Sequence, residues 1–252
     1  MNQTAERALS KVPEVTLGFW IIKIAATTLG ETGGDAVTMS MNLGYLIGTA
    51  IFAVIFVAAV LVQIRAKNFH PFIYWITIVA TTTVGTTLAD FFDRSLHIGY
   101  AGGTSLLLTL LLLSLFIWKR ALGTVSVSSI STPQAEIYYW VTIMFSQTLG
   151  TALGDWMADT NGLGYTRSAL VFSAMLLLVA AGYFWSRISH TLLFWAAFIL
   201  TRPLGAVVGD FLDKPITKGG LAISRYSASA ALLVFMVGCV FVFKQRAAKA
   251  AH

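Results

Sequence analysis

One register of residues recurs four times along the chain and limits what it can fold into. Trp20, Trp75, Trp140 and Trp195 are each followed ten residues on by glycine (Gly30, Gly85, Gly150, Gly205) and fifteen on by aspartate (Asp35, Asp90, Asp155, Asp210). A second glycine stands twenty-four residues on (Gly44, Gly99, Gly164, Gly219). An aromatic residue precedes every Trp (Phe19, Tyr74, Tyr139, Phe194). A tyrosine follows the second glycine in three copies (Tyr45, Tyr100, Tyr165), with Gly220 in the fourth. The pattern W-x9-G-x4-D-x8-G, held over four copies without a gap, marks a tandem repeat. The Trp spacings are 55, 65 and 55 residues. The longer middle interval holds a Ser/Thr-rich stretch, roughly 123–136, read as a loop between two halves.

Composition decides the medium in which these repeats fold. Of 252 residues, 57% are hydrophobic and only 11% charged, with a mean hydropathy of +0.77. A soluble domain carries roughly a quarter charged residues, so a water-facing surface cannot be dressed from this set. Residues 48–62, 105–118, 170–185 and 228–243 contain no Asp, Glu, Lys or Arg. Each approaches the ~20 residues that a helix needs to cross a hydrocarbon core. The expectation is an all-α integral membrane protein of eight transmembrane helices, arranged as four parallel two-helix repeats. Its units are an N-terminal segment 1–15, repeats 16–67 and 68–120, a linker 121–137, repeats 138–187 and 188–244, and a tail 245–252. Residues 1–15, polar with Arg7 and Lys11, lack the apolar core of a signal peptide and read as a cytoplasmic lead-in. Cys239 stands alone in an apolar run, so it reads as a packing residue.

The repeated tryptophans carry a resemblance. The chain resembles a bacterial family of integral membrane proteins built from four tandem two-helix repeats of unknown function, each marked by a tryptophan, here Trp20, Trp75, Trp140 and Trp195. The resemblance spans nearly the whole chain. It implies the repeat and a bacterial inner membrane, and it supplies no activity.

Charge sets the expected orientation. The net charge of +6 gathers at the ends of the second helix of each repeat: Arg65 and Lys67, Lys119 and Arg120, Arg187, then Lys244, Arg246 and Lys249. That placement argues against nucleic acid as a partner. By the positive-inside bias it sets these ends and both termini in the cytoplasm. The tryptophans then read as anchors in the inner aromatic belt, and the aspartate turns face outward. Two helices per repeat orient every copy alike, so the copies are parallel and not inverted. Closure around a pseudo-fourfold axis is the expected packing.

The first helix of each repeat carries the chemistry. Small residues ten and fourteen after the Trp (Gly30 and Gly34, Gly85 and Ala89, Gly150 and Gly154, Gly205 and Gly209) suit close helix approach in lipid. Polar residues stack on much of that face, three, seven, eleven and fifteen after the Trp. They run Lys23, Thr27, Glu31, Asp35, then Ile78, Thr82, Thr86, Asp90, then Ile143, Gln147, Thr151, Asp155, and last Phe198, Arg202, Ala206, Asp210. At ~1.5 Å per residue the aspartates stand ~22 Å from the tryptophans, near the outer end of a ~30 Å core, with Glu31 and Arg202 deeper. Ionisable groups at that depth usually face a bundle interior or a watery path. The expected picture is a ring of Asp35, Asp90, Asp155 and Asp210 above a polar core of Thr82, Thr86, Gln147, Thr148, Thr151 and Glu31. Further carboxylates follow at Asp93, Asp159 and Asp213. Lys23, Arg202, Arg167 and Arg225 are possible partners for the acids, and Pro203 is expected to kink its helix.

These residues support several readings. Carboxylate and hydroxyl oxygens suit divalent cations such as Mg²⁺ or Mn²⁺, so the first is a transporter of a divalent metal ion, manganese-like, exporting it against protons. Asp35, Asp90, Asp155, Asp210 and Glu31 would then be its ligands. In a second reading Arg202 and Lys23 centre a transporter of a small organic or anionic solute. In a third the aspartates cap turns, the polar groups hold helices together, and the protein is a scaffold or sensor. His70, His97, His190 and His252 fall at loops or termini, and one cysteine offers no soft-metal site. No nucleophile–base pair, phosphate loop or cofactor motif points to an enzyme or a resident cofactor. The lipid bilayer and the transported ion or solute are the expected partners, and homo-oligomerisation stays open.

Overall fold

The computed structural model describes residues 10–96, 99–160 and 162–248. Arg7, His97, Lys249 and His252 lie outside them. Among the described residues there are eight long helices: α1 Leu17–Asp35, α2 Gly44–Arg65, α3 Pro71–Asp90, α4 Tyr100–Leu122, α5 Pro133–Asp155, α6 Gly164–Trp185, α7 His190–Asp213 and α8 Arg225–Val242. The only β-type contact among them is a single bridge between Pro13 and Ala247. Six of the eight, all but α1 and α5, are long and apolar enough to cross a membrane. α1 falls short because it carries Lys23, Glu31 and Asp35, and α5 because it carries Glu136, Gln147 and Asp155.

The two helix types occupy different places. α1, α3, α5 and α7 pack in a closed circuit, α1 on α3, α3 on α5, α5 on α7 and α7 on α1. α2 packs on α3, α4 on α5, α6 on α7 and α8 on α1. Each even helix therefore rests on the inner helix of the following copy. Burial follows: 72% of the apolar window of α3 is buried inside the protein, against 6% for α2. An outer helix with apolar residues on every face is what a lipid surround requires.

Both repeat glycines have a physical reason. A side chain at Gly30 would overlap Thr82, one at Gly85 Gln147, one at Gly150 Arg202 and one at Gly205 Thr27. The glycine of each copy thus seats the residue seven after the Trp of the next copy, and the fourth copy returns to the first. The second glycine meets no such neighbour. Gly44, Gly99, Gly164 and Gly219 instead have φ of 76°, 77°, 69° and 84°, backbone that a side chain disfavours. In copy four the loop folds back, Leu221 N–H donating to Phe211 C=O at 2.7 Å and Ala222 N–H to Lys214 C=O at 2.9 Å. A side chain at Gly220 would there overlap the Lys214 carbonyl, so the tyrosine of the other copies has no room.

The tryptophan end departs from expectation. Trp75, Trp140 and Trp195 are buried and Trp20 partly so; they are interior residues, not interfacial anchors. Each packs against the aromatic that precedes the Trp of the copy before it. Ring centres are 5.5 Å apart for Phe19–Trp75, 5.8 Å for Tyr74–Trp140, 6.3 Å for Tyr139–Trp195 and 5.8 Å for Phe194–Trp20. Because neighbours in the circuit supply the partner, the rings point inward and fill its end.

The linker also differs from a free loop. Val127 and Ile130 are buried in the same core, and residues from Pro133 onward form the first turns of α5, capped by Thr132 accepting from Ala135 N–H at 3.2 Å. The N-terminal segment is tied to it, with Lys11 N–H donating to Ile130 C=O at 2.8 Å and Ser10 Oγ to Val127 C=O at 2.7 Å. Lys11 Nζ pairs with the buried Glu136 at 2.6 Å.

Candidate functional site

All eleven residues singled out for the path are buried: Lys23, Glu31, Asp35, Thr82, Thr86, Asp90, Gln147, Thr151, Asp155, Arg202 and Asp210. The circuit of inner helices explains this, since the polar stripe of each helix is the stripe its neighbours cover. Threonines suit such a stripe because their hydroxyls bond nearby carbonyls. Thr82 Oγ1 donates across to Ala26 C=O at 3.1 Å and Thr27 Oγ1 to Thr201 C=O at 3.2 Å. Thr148 Oγ1 bonds back to Met144 C=O at 2.9 Å within α5.

The centre is an ion pair between the first and last copies. Arg202 Nη2 donates to Glu31 Oε2 at 2.8 Å and also to the hydroxyls of Thr86 and Thr151. Thr86 itself donates to Glu31 Oε2 at 3.2 Å. One guanidinium nitrogen thus ties all four inner helices together. α7 is helical on both sides of the adjacent Pro203, and the side chain of Arg202 fills the space that Gly150 leaves.

Toward the end opposite the tryptophans the four aspartates form two bridged pairs. Arg94 contacts Asp90 at 3.0 Å and Asp155 at 3.2 Å; Lys214 contacts Asp35 at 2.6 Å and Asp210 at 2.9 Å. Neither cation was singled out from the sequence. The signal was there: each stands four residues after the repeat aspartate, but only in copies two and four. α3 reaches Arg94 through a wide helical turn, Phe91–Ser95, that continues from Asp90. Of the cations expected as partners, Arg225 pairs with Asp213 at 2.6 Å and lies 3.7 Å from Asp35. Arg167 is exposed, and Lys23 Nζ has no hydrogen-bond partner, resting 4.2 Å from the centre of the Phe198 ring. Burial disfavours the charge on Lys214, but Asp210, Asp35 and Asp213 outweigh it and hold its pKa above the ordinary lysine value.

Of the residues expected to hold a metal ion, Glu31, Asp35 and Asp210 each offer an oxygen within 4.8 Å of the others. Asp90 and Asp155 stand apart from that group, on the Arg94 side. Beside the bridges a cleft of about 520 Å³ is lined by Arg94, Tyr100, Asp159, Tyr165, Lys214 and Lys218, with Ala158 and Gly164. Tyr45, the tyrosine of copy one, accepts from Arg94 at 3.1 Å. Asp93 lies against Gly103. His70 and His190 are exposed.

The model of a family described as Repeat of Unknown Function (DUF347) matches residues 18–69, 73–124, 138–189 and 193–247. Those four segments cover most of the chain. It belongs to this repeat family. No curated protein and no solved structure matches it. In this DUF347 chain each matched segment carries the recurring Trp, the glycine ten residues on and the bridged aspartate fifteen on, and each supplies one inner and one outer helix.

Proposed function

We propose that this DUF347 protein is a membrane transporter of a cation, with a divalent metal ion as the substrate its oxygen donors suit and protons as the counter-ion. In this reading all eight helices span a bacterial inner membrane around a pseudo-fourfold axis, with both termini cytoplasmic. α1 and α5 are tolerated there because the other helices shield their charges.

A charge imbalance carries the proposal. Among the described residues, six buried carboxylates (Glu31, Asp35, Asp90, Asp155, Asp210 and Asp213) share only four paired cations (Arg94, Arg202, Lys214 and Arg225). A buried charge without a partner costs several kcal/mol. A scaffold would need only balanced pairs. Two carboxylates in excess have to be neutralised by something mobile, a proton or a metal ion, and the two compete for the same oxygens. Glu31, Asp35 and Asp210 are the residues best grouped to receive the metal, with Lys214 as the internal cation it displaces. Asp90 and Asp155 play the matching part beside Arg94.

Purified protein in liposomes loaded with a metal-sensitive dye should pass Mn²⁺ when a proton gradient is imposed. Asp35→Asn, Asp210→Asn and Glu31→Gln should each lower the rate by at least about tenfold, a loss of ~1.4 kcal/mol, while Arg167→Gln leaves it unchanged. Equal rates in wild type and all three acid variants would rule the reading out.

A further inference from the structure

The inner half of the axis carries a second, unlike group of atoms. At and below the Glu31–Arg202 pair, four buried nitrogens on α1, α5 and α7 lack an acceptor: Lys23 Nζ, Arg202 Nε, Arg202 Nη1 and Gln147 Nε2. Their side chains are fully buried. Gln147 and Arg202 share one level of the circuit, seven residues after their tryptophans, and Lys23 stands one turn further in, ~6 Å along the axis. On these three side chains only one oxygen, Gln147 Oε1, lacks a donor in return.

That excess of donors selects the occupant. A buried polar group left unpaired is costly. Water brings as many donors as acceptors, so it leaves part of a donor-rich group unmatched. An anion brings acceptors alone. Glu31 does not supply the missing acceptor, because its Oε2 already takes Arg202 Nη2 at 2.8 Å and the Thr86 hydroxyl at 3.2 Å. Space limits size: Gln147 and Arg202 fill the gaps at Gly85 and Gly150, so the inner helices stand close at this level.

We propose that Lys23, Arg202 and Gln147 form a binding site for a small monovalent anion of halide size. Bound there, the anion satisfies the free N–H groups and sets a negative charge in the inner half, which favours passage of a cation. The binding stands on the donors alone; its effect on cation movement rests on the transport reading above.

Crystals grown with bromide replacing chloride test the site directly. An anomalous peak within hydrogen-bond reach of Lys23 Nζ and Gln147 Nε2 is the expected result. In solution, the melting temperature of the full-length protein should rise with chloride at fixed ionic strength. Gln147→Leu, which removes donors without changing charge, should raise the half-maximal chloride concentration by at least about tenfold, and Lys23→Met should do the same. Density for water alone at this level, or identical chloride dependence in wild type and Gln147→Leu, would overturn the site. Both readouts are equilibrium binding, so they stay decisive even if no metal ion crosses.

Discussion

At the residue scale, Arg202 is the group on which most depends. It is fully buried beside Pro203, and its Nη2 holds Glu31, Thr86 and Thr151 at once. Removing one partner of such a pair leaves the other charged and buried, at a cost of about 3–5 kcal/mol. Arg202→Met should lower the melting temperature sharply, and adding Glu31→Gln to it should recover most of the loss. A double variant as unstable as the single would show that Glu31 is not the charge Arg202 serves. Glu31 and Arg202 were legible in the sequence because each breaks the repeat at a depth where charge is expensive. Arg94 and Lys214 were not, although each follows a repeat aspartate by one turn. A search for positions shared by all four copies discards residues present in two. Their role also depends on two neighbouring copies, since each spans from its own aspartate to that of the next helix in the circuit.

At the scale of elements, the small-residue stripe decides how closely the inner helices approach. Gly30 meets the Thr82 side chain, whereas the nearest atom to a side chain placed on Gly33, Ser229 Oγ, is 4.0 Å away. Gly30→Val should therefore destabilise by about 1–3 kcal/mol through overpacking, while Gly33→Ala, three residues along the same helix, should be neutral or slightly stabilising. Thermal unfolding of the two variants separates a packing stripe from a general intolerance of α1 to change; equal losses would argue for the latter. The helices, their order and the packing role of the glycines were readable from spacing alone. The aromatic end was not. Tryptophan near a helix terminus in an apolar chain is commonly interfacial, and only closure of the circuit supplies each Trp with a partner on its neighbour. The linker misled for a similar reason. Its Ser/Thr content suggests a solvated loop, but Val127 and Ile130 within it fill the core beneath the aromatic rings.

Across the whole molecule the two ends of the axis are built differently. One is closed by aromatic rings, with Lys11 and Glu136 strapping the N-terminal segment to α5. The other holds carboxylates bridged by Arg94 and Lys214, beside a cleft of about 520 Å³. Exchange of ions in the proposed transport cycle requires each end to open in turn, the outer by release of a bridging cation, the inner by movement of the rings. The account turns on the two carboxylates in excess of their cations, and these can be counted. Adding Mn²⁺ to purified protein in weakly buffered solution near neutral pH, with a pH indicator, measures protons displaced per metal ion bound. Displacement of up to about two protons per ion, lost in Asp35→Asn and Asp210→Asn, is what the charge imbalance predicts. Absence of both metal binding and proton release in the wild-type protein would contradict it.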